Sequence, residues 1–287
     1  PDNHRTPSCD TIKYPVIMYK ISAVIITYNE ALNIVRCIES VKPVADEIII
    51  LDSYSTDHTV ELARSCGAIV YQEKFRGYIG QKNAAIALAS HDYILSLDAD
   101  EALDAELTAS ILAVRDTLHS RAYSMNRCTA YCGHFIRHGL WYPDKKLRLF
   151  DRRIAQWGGL NPHDKVIPEP NTTITPLKGE ILHYSFNSPE DLVWQHNRLS
   201  SIAAASLYAA GKRSNWYKLL IHPLWAFLNG YVFRRGFLDG ADGLVIAAQS
   251  ANQVFLKYSK LYRLQRLKRK TTPLSGIRET ETQTAAR

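Results

Sequence analysis

The chain lacks both glycine-rich signatures of the common nucleotide-binding folds. No Gly-x-Gly-x-x-Gly follows its first apolar run, which disfavours a dinucleotide fold, and no Gly-x4-Gly-Lys-Ser/Thr disfavours a P-loop NTPase. Cysteine is sparse. Cys9, Cys37, Cys66, Cys128 and Cys132 are odd in number and irregular in spacing, unlike a secreted disulfide framework. Cys37 and Cys66 fall in expected helices and read as small core residues. Cys128-x3-Cys132 with His134 and His138 superficially resembles a zinc site, but the spacing is atypical and the segment reads as strand and loop. The polar N-terminus, with Pro7 and Pro15, has no apolar signal core, so a cytoplasmic location is expected. Internal repeats are absent.

What is present is an α/β pattern. The 287 residues are 46% hydrophobic, enough for one large domain or two small ones, and the net charge of +7 favours anionic partners. Residues 21–27 are a β-branched apolar run that reads as a strand buried on both faces. Ala31, Ile34, Ile38 and Val41 follow at helical spacing, with Pro43 just beyond. Strands are expected at 47–51, 68–71 and 93–97. Helices are expected from a cap at Ser55 or Thr56 to Gly67, and over 80–90. This alternation implies a mostly parallel sheet with helices on its faces, and ligands beyond the carboxyl ends of the strands.

Polar clusters lie at those ends: Thr27 to Glu30, Asp52 to Asp57, Phe75 to Tyr78, and Asp98-Ala99-Asp100. Two carboxylates two residues apart at a strand end can point the same way and hold Mg²⁺ or Mn²⁺, which leaves positions open for phosphate oxygens. The plainer reading makes Asp100 or Asp104 a helix cap. With the glycine-rich folds set aside, a nucleotide-diphosphate sugar held through a metal is the natural ligand.

At this point the residues resemble a known family. Val24-Ile25-Ile26-Thr27-Tyr28-Asn29-Glu30, then Asp52-Ser53-x-Ser55-Thr56-Asp57-x-Thr59, then Asp98-Ala99-Asp100-Glu101 look like family 2 glycosyltransferases of the GT-A fold. Phe75-x-Gly77-Tyr78-x-Gly80-Gln81-Lys82-Asn83, Trp141-Tyr142-Pro143-Asp144, Arg148-Leu149-Phe150, His163-Asp164 and Gly236-Phe237-Leu238-Asp239-Gly240 are similar to bacterial lipopolysaccharide inner-core β-1,4-glucosyltransferases. The resemblance covers residues 20 to 265. It implies a GT-A core at 21–186, its nucleotide-sugar half at 21–101 and its acceptor half at 102–186, behind a flexible segment at 1–20. It also implies UDP-glucose as donor and a lipopolysaccharide heptose as acceptor. Thr27, Asn29 and Glu30 would line the nucleotide pocket. Asp52 would contact the uracil or ribose, Gln81 and Lys82 would lie along the nucleotide, and Asp98 would sit near the ribose. Asp100 would be the main protein ligand of the metal, with His183 as a second ligand. The plainer alternatives are helix capping for Glu30 and Asp57, a solvated helix lysine for Lys82, and a hydrogen-bonded core histidine for His183.

Inverting sugar transfer needs a base at the acceptor hydroxyl. Asp164 is the expected base. The rival is His163, oriented by Asp164, and the plainer alternative is an Asn-Pro turn with an exposed acid. Asp144 is a second candidate carboxylate that shapes the acceptor loop or pairs with a cation, Trp141 stacks on a sugar face or belongs to the core or rim, and Arg148 binds a phosphate of the donor or of a phosphorylated acceptor in this reading.

Residues 187–270 read as a helical, basic, membrane-proximal extension, and 271–287 as a disordered tail. Ser188-Pro189-Glu190-Asp191 is a helix start, with Leu192, Leu199 and Ala203 on one face. Leu219 to Phe233 is nearly free of charge but is interrupted by Pro223 and Gly230. It is too short for an ordinary membrane span and suits an interfacial segment. From Lys257 to Lys270 there are seven basic residues and no acid, a helix suited to the anionic cytoplasmic leaflet of a bacterial inner membrane. No nucleic-acid recognition motif accompanies the charge, so no nucleic-acid partner is expected. The acidic Thr27–Glu30 junction argues against a sugar-phosphate nucleotidyltransferase. A non-catalytic basic membrane- or nucleic-acid-binding module on a degenerate sugar-nucleotide fold is the alternative to an enzyme.

Overall fold

The computed structural model describes residues 19–118, 121–160 and 163–271, with the backbone alone at 160, 163 and 268–271. The expected features at Cys9, Asn161-Pro162 and the tail beyond 271 lie outside the described residues.

The first half follows the expected alternation. It runs β1 (Ile21–Thr27), α1 (Ile34–Val41), β2 (Glu47–Asp52), α2 (Thr59–Ser65), β3 (Ile69–Gln72), α3 (Tyr78–Ala87), β4 (Tyr93–Asp98), β5 (Glu101–Leu103) and α4 (Ala105–Val114). Six more strands follow, the first four being β6 (Ala122–Tyr131), β7 (His134–Phe135), β8 (Asp144–Asp151) and β9 (Ala155–Leu160). Next come β10 (His163–Pro168) and β11 (Ile174–Phe186), then α5 (Pro189–Ala209), α6 (Trp216–Leu228) and α7 (Gly240–Thr271).

The main sheet has the order β3-β2-β1-β4-β8-β6-β11-β5, with β7 on β6. β3, β2, β1 and β4 are parallel, and the β4–β8 and β11–β5 pairs are antiparallel. Alternation along β1 sorts its side chains. Ile21, Ala23 and Ile25 join one core with Ile34 and Ile38 of α1 and Leu107 and Ile111 of α4. Val24 joins a second core with Ala85 and Ile86 of α3, Phe150 and Trp157. Both faces are therefore covered, and the run of β-branched residues needs no polar face.

Contacts divide the chain into two units, 1–127 with 145–183, and 128–144 with 184–287. In the second, Leu192, Ile136, Tyr131, Phe186 and Ile246 form a core on which Trp141 packs. Ser188 and Asp191 form a capping box at the start of α5, as its sequence implies.

Two local expectations are corrected. Helix α2 begins at Thr59 rather than at a Ser55 or Thr56 cap, because Ser55 and Thr56 are bonded to Asp52 and Asn29 instead. The buried stripe of α5 is Leu192, His196, Ser200 and Ala204, one position past Leu199 and Ala203. Two polar residues fit there because His196 Nδ1 meets the Gln249 carbonyl at 3.1 Å and Ser200 receives Lys260 at 2.7 Å. Lys260 also donates to Asn197 and Ser201, so this member of the basic run ties α7 to α5.

Candidate active site

Register brings the strand-end residues together. Thr27 pairs with Asp52 across β1 and β2, and Ile26 pairs with Asp98 across β1 and β4. Asp52 is fully buried. It accepts from the Ser55 amide at 2.9 Å, from Gln72 Nε2 at 3.0 Å and from the Ser55 hydroxyl. That hydroxyl in turn accepts the Asn29 amide at 2.8 Å. Asn29 adopts φ 55°, a left-handed conformation open to asparagine, and its Oδ1 accepts the Thr56 amide at 2.8 Å. Asp57 joins the same two loops through the amides of Ala31 and Thr59. It therefore does more than cap one helix.

Beyond this frame lies an ion cluster. Lys82 is buried in α3 and reaches Asp98 at 3.0 Å and Asp164 at 2.9 Å. Its ammonium lies 4.1 Å from the centre of the Trp157 ring. Arg148 is also buried; it pairs with Glu101 at 2.8 Å and Asp98 at 3.2 Å and lies over the same ring. Trp157 is held by its Nε1 on Ser96 Oγ at 3.2 Å. Desolvation would lift the Asp98 carboxyl, but Lys82 and Arg148 outweigh it and hold Asp98 well below the usual carboxylate range. The solvated-helix reading of Lys82 is thus overturned, since its ammonium is enclosed between two carboxylates and an aromatic face.

Asp100 and His183 form a second pair. β11 places His183 opposite Glu101 of β5, and His183 Nε2 lies 3.1 Å from Asp100 Oδ2. Burial raises the Asp100 carboxyl, and the His183 contact reverses this to a net lowering. Glu30 accepts from Asn33 Nδ2 at 2.8 Å. Desolvation, with repulsion from Asp100 and Asp57, pushes Glu30 up to about 7. The cap of α4 is Asp104, which accepts the Leu107 amide at 2.7 Å, so Asp100 is not used as a cap.

The donor set of Asp100 and His183 fits Mg²⁺ or Mn²⁺. One carboxylate oxygen and one imidazole nitrogen lie within contact distance, leaving the other positions to phosphate and water. Asp98, committed to two cations, is not part of that set. Among the described residues no group of three or more histidine, cysteine or acidic side chains gathers to hold a metal.

Among the described residues, Thr27 Oγ1, Gln81 Nε2, and Arg148 Nε and Nη1 are buried and have no hydrogen-bond partner. Gln81 uses its other end to accept the Arg76 amide at 3.2 Å. Buried polar groups of this kind are normally satisfied.

The other expected residues lie elsewhere or are only partly described. Of His163 the backbone alone is described. Trp141 stacks on Phe186 at 5.1 Å, and it and Asp144 belong to the second unit. Cys128 Sγ contacts the Ile136 carbonyl, and His134 and His138 pair with Asp242 and Asp239. The sequence alone assigns no role to Glu101, which also receives Arg127 at 3.2 Å, or to Trp157. The signal for Glu101 was its position: an acid directly after Asp98-Ala99-Asp100, inside an apolar strand.

A family model described as glycosyl transferase family 2 matches residues 22–162. An uncharacterized glycosyltransferase of Rickettsia prowazekii is 35% identical over 85% of this chain and 87% of its own length. The lipopolysaccharide core biosynthesis glycosyltransferase LpsC of Rhizobium meliloti is 32% identical over 86% of this chain and 94% of its own. Among solved structures, the mannosyltransferase PcManGT of Pyrobaculum calidifontis in complex with GDP-Man and Mn²⁺ aligns over 84% of this chain and 86% of its own. It does so with a TM-score of 0.50 at 15% identity, a likeness of fold.

Proposed function

The chain belongs to glycosyltransferase family 2, and from that membership we propose that it moves glucose from UDP-glucose, with inversion, to a heptose of a lipopolysaccharide inner core. Membership makes it a transferase of the GT-A fold, in place of a non-catalytic binding module. The relative in lipopolysaccharide core biosynthesis supports the acceptor class. The observation that carries the donor site is the set of buried, unpartnered atoms of Thr27, Gln81 and Arg148 beside the Lys82–Asp98 pair.

Each residue then has a task. Thr27, Asn29, Glu30, Asp52 and Gln81 line the nucleotide, with Asp98 on the ribose side. Lys82 and Arg148 supply fixed positive charge near the diphosphate. Asp164 takes the proton of the acceptor hydroxyl, or His163 takes it with Asp164 orienting the ring. The hydroxyl oxygen bonds to the anomeric carbon from the face opposite the diphosphate. The bond from that carbon to the diphosphate oxygen breaks, and its electron pair leaves with UDP. Asp100 and His183 would hold a divalent cation, which supplies further charge for the leaving diphosphate. Trp141 and Asp144 serve the acceptor. The protein works peripherally, on the anionic cytoplasmic face of the inner membrane.

A donor panel tests this reading. UDP-, GDP-, ADP- and CMP-sugars are offered with Mn²⁺ or with EDTA, beside Asp100→Ala. Release of UDP from UDP-glucose, lost with EDTA and in the variant, is expected. Turnover of a different nucleotide sugar, or equal turnover in EDTA, would contradict the donor or the metal.

A further inference from the structure

The second unit holds a cavity whose walls include none of the residues given a task above. Its volume is about 410 Å³ and its walls are Arg137, His138, Tyr142, Pro143 and Arg234. That is room for a phosphorylated headgroup. No carboxylate lines it. The nearby Asp239 is already engaged: it accepts His138 Nδ1 at 2.8 Å and the amides of His138 at 2.9 Å and Arg137 at 3.4 Å. Asp239 therefore fixes the 137–138 backbone and holds His138 in the wall. Arg234 is exposed, and among the described residues its guanidinium makes no ion pair. Two guanidinium groups, an imidazole and a phenol around one space suit an oxyanion with several acceptor oxygens.

What borders Arg234 says where that oxyanion comes from. It follows directly on a π-helical turn, Asn229–Phe233, that continues α6. Helix α6 has no buried side chain, and its residues are largely apolar. Trp216 is 72% exposed and Phe233 65%, and Trp225, Leu224, Leu220, Phe237 and Leu238 are more than half exposed or nearly so. No described helix is long and apolar enough to cross a membrane. From Asp191 to Asp239 the sequence carries Arg198, Lys212, Arg213, Lys218, Arg234 and Arg235 and no intervening acid. An apolar aromatic face with a cationic rim suits the headgroup boundary of an anionic bilayer. A second copy of the chain would bring like charge against like charge.

We propose that this cavity binds the phosphate of an anionic membrane lipid, with α6 and the Asn229–Phe233 turn lying in the same leaflet. The inference rests on the reading of the acceptor as a membrane glycolipid and adds a phosphate site on the helical unit.

The test is co-sedimentation of the full chain with phosphatidylcholine vesicles, with and without about one third phosphatidylglycerol, a fraction chosen near the anionic content that gives a biological surface potential. Arg137→Gln/Arg234→Gln is compared with Lys212→Gln/Arg213→Gln, which removes the same charge away from the cavity. Thermal melts check that both variants fold. The expected result is binding to the anionic vesicles only, weakened at least tenfold by the cavity pair and less than threefold by the other pair. Equal loss in the two pairs would reduce the effect to diffuse attraction and overturn the site. Inorganic phosphate bound by the wild type and not by the cavity variant, with vesicle binding unchanged, would overturn the lipid source. A self-associating chain that ignores vesicles would assign the face to a second copy and overturn the proposal. UDP release by the wild type without acceptor is read separately, so a failed transferase reading and a failed lipid site are distinguishable.

Discussion

Replacing Glu101 by glutamine should cost the first unit much of its stability. The Glu101 side chain is fully enclosed. It takes Arg148 Nη2 at 2.8 Å, Arg127 Nη1 at 3.2 Å and the Asp98 amide at 3.1 Å. Arg148 is buried, and its Nε and Nη1 already lack partners, so without the Glu101 charge it keeps only Asp98. Breaking a buried ion pair from one side costs about 3–5 kcal/mol. Glutamine retains one acceptor oxygen, which places the expected loss near the lower end, about 3 kcal/mol. For a protein of this size that is a fall of roughly 6–12 °C in melting temperature. Glu101→Met with Arg148→Met removes both charges and should cost less than the two single changes combined, because neither is left buried alone. Calorimetry on the four proteins of the cycle measures it. A Glu101→Gln variant that melts within about 2 °C of the wild type, or a double variant whose loss equals the sum of the singles, would refute the coupling.

Other expectations follow from the same physics. Glu30 is lifted to about 7, so the folded state holds its proton where the unfolded chain has lost it, and its contribution falls as pH rises from about 4.5 to 7. Glu30→Gln should therefore gain melting temperature relative to the wild type between pH 5 and pH 8, and a constant difference would contradict the shift. Asp98 lies on the opposite side: its stabilisation is present above the ordinary carboxylate range and is lost as pH falls through its lowered value. A methyl group on Gly243 would come within 1.8 Å of the Gly236 carbonyl oxygen, so Gly243→Ala should cost about 2 kcal/mol or more in urea unfolding. An unchanged unfolding midpoint would show that the start of α7 can move. Asp164→Asn should lower kcat by about 10²–10⁴ with the donor KM little changed, the usual loss for a general base. A change in KM alone would return Asp164 to a positioning role through Lys82.

The first half of the fold is legible in the sequence, and the reasons are local. The expected bounds of β1 match the observed ones because Ile21–Thr27 is rich in β-branched residues and buried on both faces. Helix α3 starts at Tyr78, two residues before the expected Gly80, because Gly77 at φ 81° turns the chain into it. Sequence spacing could not show that Asp98 is clamped by cations from α3 and β8, since 16 and 50 residues separate it from Lys82 and Arg148. The partnership of His183 with Asp100 depends on the antiparallel pairing of β11 with β5, which only the fold supplies. The α5 stripe was misplaced because His196 and Ser200 look like surface residues until Gln249 and Lys260 are brought against them.

The most direct test is transfer itself. UDP-glucose labelled in the sugar is incubated with a heptose-terminated core glycolipid and the wild type, Asp164→Asn or Asp100→Ala. Label entering the lipid with the wild type, with inverted configuration at the anomeric carbon, and falling at least a hundredfold in Asp164→Asn is the expected result. Undiminished transfer by Asp164→Asn, or retention of configuration, would contradict the assignment of this cluster as the transfer site.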